Sequence, residues 1–70
     1  MKMTTLEKVR RERGWSKSEL GRRACIQSGL VGWIEDRRFV PYAIQLERLA
    51  DALDFEGEPS DLLKERDDER

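Results

Sequence analysis

Histidine is absent from the 70 residues, and cysteine occurs once, at Cys25. A lone thiol with no imidazole excludes an internal disulfide, a thiolate-imidazole zinc cluster and a Cys/His catalytic pair. No apolar run approaches the roughly 18 residues needed to cross a bilayer, and Met1-Lys2-Met3-Thr4-Thr5 lacks a hydrophobic signal region. The expected location is therefore the cytoplasm, with no membrane partner. A nucleophile-base pair, a phosphate-binding glycine loop and paired buried carboxylates are also missing, so neither an enzyme nor a cofactor is expected. No internal repeat and no strand-like alternation is found.

What is present is charge. Hydrophobic residues make up 37% of the chain and charged residues 41%, enough apolar material for one small core under a solvated surface. A chain of this length buries only about 60% of the surface that its unfolded form exposes. The net charge of -1 hides an uneven distribution. Residues 1–50 carry eleven Lys/Arg against six Asp/Glu, a net of +5, whereas residues 51–70 carry three against nine, a net of -6. A basic body with an acidic end is compatible with a polyanionic partner, and the acidic end can weaken that binding or keep the domain soluble.

The remaining signals are helical. Thr4-x-x-Glu7 reads as a capping box that opens a first helix carrying Leu6 and Val9, and Gly14 supplies a left-handed stop. Ser16-x-x-Glu19 opens a second, short helix with Leu20 and Ala24 at i, i+4 spacing. Cys25-Ile26-Gln27 interrupts the pattern, and Leu30, Val31 and Ile34 then share one side of a third helix running to about Asp36. After a basic loop over residues 37–40, Pro41 can open a fourth helix with Ile44, Leu46, Leu49, Ala50 and Leu53 on its apolar face, Ile44 and Leu53 near the edges. Pro59 can begin a fifth whose Leu62 and Leu63 close the core. The expected domain covers residues 4–64. Residues 65–70 read as a charged C-terminal tail that frays.

Val9-Arg10, Gly14-Trp15-Ser16, Glu19-Leu20, Ala24, Val31, Ile34-Glu35 and Pro41-x4-Leu46-x2-Leu49-Ala50-x-Ala52-Leu53 follow one another at spacings that resemble the Xre family, the lambda repressor and Cro type of helix-turn-helix. The resemblance spans residues 6–63 and implies an all-α, five-helix lambda-repressor-like helix-turn-helix domain. In that arrangement the second helix lies across the phosphate backbone and the third enters the major groove of duplex DNA. Two positions depart from the family pattern near the turn. Gly21 replaces the usual alanine, costing about 1 kcal/mol of helix propensity while permitting closer packing, and Cys25 replaces the usual turn glycine as a small residue. A third departure, Arg37, also stands where glycine is common.

The resemblance further implies a structural salt bridge between Arg10 and Glu35, which orients the third helix without touching DNA. It assigns Ser16 and Lys17, at the start of the second helix, and Arg37 and Arg38, in the loop, to phosphate contact, with Trp15 near the same helix start. Base or groove contact falls to Gln27, Ser28, Gly29, Gly32 and Trp33. That outer face, which ends at Asp36, is poor in the Arg, Lys, Asn and Gln side chains that read base edges, leaving only Ser28 and Gln27 as polar readers. Three roles for Trp33 stay open: packing in the DNA groove, anchoring a protein partner beside the small residues of its face, or folding back onto the core. The expected function is a DNA-binding transcriptional regulator, with a homodimer reading half-sites about 34 Å apart as one assembly. The alternative is a protein-interaction module using the Gly-Trp face.

Overall fold

In the computed structural model, which describes residues 2–67, the Thr4 hydroxyl accepts a hydrogen bond from the Glu7 amide at 3.1 Å and starts α1 (Thr5–Glu12). Ser16 does the same for the Glu19 amide at 3.0 Å and starts α2 (Lys17–Ala24). The two carboxylates expected to reciprocate bind arginines one turn on instead: Glu7 pairs with Arg11, and Glu19 with Arg22 and Arg23. α1 closes at Arg13 and Gly14, where φ of +73° is a backbone conformation that costs glycine nothing. The chain continues through α3 (Ser28–Glu35), α4 (Ala43–Leu53) and a 3-10 helix (Pro59–Leu63).

The protein is thus mostly helical with four α-helices, and the expected fifth is a single 3-10 segment. Its five residues fix Leu62 in the core without room for a further α-turn before Lys64 turns extended. Pro41 does not open α4. It lies buried before the N-cap Tyr42, whose amide donates to Gln45 Oε1 at 2.8 Å. On α4, Leu53 is fully buried and Ile44 is exposed, so the apolar face is not symmetric about its centre. The 3-10 helix packs on α4 and on α1.

Leu6, Leu20, Val31, Ile34, Leu49, Leu53 and Leu62 lie at the centre of one core, each fully or almost fully buried. Each contributes about 1.5–3 kcal/mol relative to an exposed side chain. Every α-helix and the 3-10 segment supplies at least one of them.

The expectation of no strand is corrected at the chain ends. Lys2–Thr4 (β1) pairs antiparallel with Glu65–Asp67 (β2), in the register Lys2 with Asp67, Met3 with Arg66 and Thr4 with Glu65. Residues 65–67, expected to fray, are therefore joined to the start of the domain; Asp68, Glu69 and Arg70 of the same expected tail lie outside the described residues. Next to the ribbon, the Lys64 carbonyl accepts from the Thr5 amide at 2.7 Å and the Thr5 hydroxyl at 2.9 Å. These two hydrogen bonds bring the two ends together, and the unsatisfied backbone groups of both then pair. Among the described residues no helix is long and apolar enough to cross a membrane.

Candidate nucleic-acid interface

α2 and α3 are joined by a turn of three residues, and its geometry depends on two small side chains. Cys25 closes α2 in the left-handed region at φ +60°, the conformation that its place in the turn requires. Gly21 faces the turn from one helical turn earlier. A Cβ there would stand 2.5 Å from the Ile26 carbonyl oxygen and 3.1 Å from Ser28 Cα and N, so only glycine lets the backbone of α2 approach the start of α3 this closely. The Gly21 carbonyl meanwhile accepts from the Ile26 amide at 2.8 Å. Closer packing is the realised consequence of the missing methyl.

The far end of α3 is tied to α1 by Arg10 and Glu35. The guanidinium donates through Nε to Glu35 Oε2 at 2.7 Å and through Nη2 to Oε1 at 3.0 Å, with Nη1 donating to the Trp15 carbonyl at 2.8 Å. Both side chains are at least nine-tenths buried. A planar fork matched to a carboxylate fixes direction as well as distance, so α3 is held in rotation as well as in position. Neither residue faces solvent as a reader.

Val31 and Ile34 turn inward from α3 and Leu30 is half-buried, as its 3.6-residue period predicts. Gln27, Ser28, Gly29, Trp33 and Asp36 are exposed and Gly32 is half-exposed, so all five expected groove residues share the outer face. Trp33 is 56% exposed, which removes the reading in which it folds back onto the core. Gln27 is the N-cap of α3 but makes no side-chain capping bond, leaving its amide group uncommitted.

The cationic residues divide into held and unheld. Arg22 and Arg23 both bind Glu19, and these hydrogen bonds, Arg22's the larger, hold the Glu19 carboxyl below its usual range. Arg23 also stacks 4.4 Å from the Trp15 ring, with Arg13 at 5.7 Å. The Trp15 amide donates to the Arg10 carbonyl at 3.2 Å and is not open to a ligand. Free amides at the start of α2 belong instead to Lys17 and Ser18, which have no acceptor inside their own helix. Arg37 adopts φ +62° where the resemblance implied a left-handed glycine, and its guanidinium lies 2.9 Å from the Glu65 carboxylate of β2. Its neighbour Arg38 donates its amide to the Trp33 carbonyl at 2.8 Å, and no carboxylate among the described residues pairs with its side chain. No local pattern signals the Arg37–Glu65 pair, which depends on the strand pairing.

Two short helices held at a tight left-handed turn, the second with its outer face exposed, define a helix-turn-helix. A family model described as the helix-turn-helix domain matches residues 4–63, and the chain belongs to that family. No curated protein and no solved structure matches it.

Proposed function

We propose that the protein is a lambda-repressor-like transcriptional regulator of the Xre type that docks α3 in the major groove of duplex DNA. The observation that carries this reading is the exposed face of α3, held in rotation by the Arg10–Glu35 fork and in position by the Gly21 turn. Such rigidity matters where a helix must meet base edges at fixed positions. In this reading Gln27 and Ser28 address base edges, and Gly29, which has open space around it, brings the helix backbone near the groove floor, with Gly32 on the same face. Trp33 packs on sugars or a thymine methyl. Phosphates fall to the Ser16 hydroxyl, the free amides beginning α2, and Arg38. Arg37 joins them only by exchanging Glu65 for a phosphate.

Arg38→Ala is expected to weaken binding by a similar factor on every duplex and to reduce the salt slope by about 1. Fluorescence anisotropy across a salt series measures this, and an unchanged slope removes Arg38 from the phosphate set. Trp33→Ala is expected to leave folding stability within about 0.5 kcal/mol, because the side chain is exposed, and to lower sequence discrimination. Selection from a random duplex library, with sequencing of the bound fraction, reads that loss.

The same selection tests the function. Salt-sensitive binding with an enriched palindrome supports a homodimeric regulator, and an enriched single site supports a monomer. If no duplex is retained even at low salt, the exposed Trp33 favours the second reading, a protein-interaction surface on the Gly-Trp face.

A further inference from the structure

The outer face of α3 has no cation of its own, yet one lies on it. A Cβ built at Gly32 would stand 3.7 Å from Lys17 Cδ and 3.8 Å from Lys17 Nζ, so the lysine stem from the first turn of α2 rests against the middle of α3. A methyl at position 32 would meet the stem at ordinary van der Waals distance, and a longer side chain would compete with it for the same surface. Lys17 has no carboxylate partner among the described residues, although Glu19 two positions on is already held by Arg22 and Arg23. The ammonium is therefore uncommitted and stands beside the surface of α3 and not only at the edge of α2.

We infer that Lys17 is a base-reading residue lent to the recognition helix by α2, and that it selects guanine. The inference rests on the DNA-binding reading above. Guanine presents two adjacent acceptors, O6 and N7, on its major-groove edge, and a lysine ammonium donates to both, whereas thymine offers the single acceptor O4, adenine sets the N6 donor beside N7, and cytosine presents a donor. Ser28, Gly29, Gly32 and Trp33 offer no comparable donor. With its stem laid along Gly32, Lys17 supplies the cation that the sequence of α3 omits, and the resemblance-based assignment to phosphate gives way to specificity.

The test compares library selections for the wild type, Lys17→Ala, Lys17→Arg and Gly32→Leu, with folding checked by circular dichroism. Lys17→Ala should lose a guanine preference of about tenfold at one position of the site while preferences elsewhere persist. Lys17→Arg should retain guanine there. Gly32→Leu, which displaces the stem but leaves the lysine in place, should lower affinity for every duplex and, among the sequences still retained, lose the same guanine preference. A loss spread evenly over all sequences in Lys17→Ala, with the salt slope falling by about 1, makes Lys17 a phosphate contact and overturns the inference alone. A wild type that retains no duplex at any salt overturns the DNA reading beneath it.

Discussion

Glu35→Ala is expected to destabilise the protein by about 3–5 kcal/mol, the cost of leaving a buried charge without its partner. Arg10 is nine-tenths buried and would keep only the Trp15 carbonyl as an acceptor. Small domains have total stabilities at the low end of about 5–15 kcal/mol, so much of the variant would be unfolded at physiological temperature. Urea denaturation followed by circular dichroism measures the effect, and a loss below about 1 kcal/mol would mean that the pair is not closed off from water. Replacing both partners, Arg10→Met with Glu35→Leu, should restore most of the stability, because two apolar groups of similar volume need no pairing. The double variant then isolates the second role of the fork. It should fold but bind DNA less selectively, since apolar side chains do not fix the rotation of α3 as two parallel hydrogen bonds do.

Gly21→Ala carries the next largest effect, and its sign distinguishes two physical terms. Alanine in a helix interior is favoured over glycine by about 1 kcal/mol, so propensity alone predicts stabilisation. The added methyl, however, would meet the Ile26 carbonyl oxygen at 2.5 Å, and backbone on both sides of the turn has little freedom to retreat. Overpacking of this kind costs about 1–3 kcal/mol, and the net expectation is destabilisation with α3 displaced from α2. Denaturation midpoints and DNA affinity should both fall while helix content is kept. A variant more stable than the wild type would show that the turn is looser than the close approach at Gly21 requires.

The parts of this fold that were legible in the sequence are those decided by neighbours. Thr4 and Ser16 begin helices because an extended hydroxyl residue satisfies an amide three positions on, and Gly14 ends one because its backbone tolerates positive φ. The apolar side of α3 followed from its period. Arg10 and Glu35, 25 positions apart, were paired only through the family resemblance. The asymmetry of α4 was hidden because Ile44 and Leu53 stand at opposite ends of one apolar stripe, and only the tertiary packing around α4 decides which is covered. The strands were hidden because Lys2-Met3-Thr4 and Glu65-Arg66-Asp67 have no apolar alternation; proximity pairs them. At the candidate interface, reading α3 by its own side chains exposed a deficit without showing the remedy. Counting the side chains of α3 misses a lysine that reaches its surface from another helix.

The ribbon at the chain ends also sets how the molecule yields to mechanical load. Because Lys2 faces Asp67 and Thr4 faces Glu65, a pull on the two ends opens the strands like a zipper, one residue pair at a time, rather than shearing all of them together. Each step opposes the pull with hydrogen bonds worth about 1 kcal/mol apiece. The last step draws Glu65 away from Arg37 and so releases the loop after α3 while the buried leucines are still packed. Tension at the ends would therefore uncover Met3 and Thr4 and register at the loop before it reached the central leucines, making the ribbon a soft handle on the part of the molecule that faces outward.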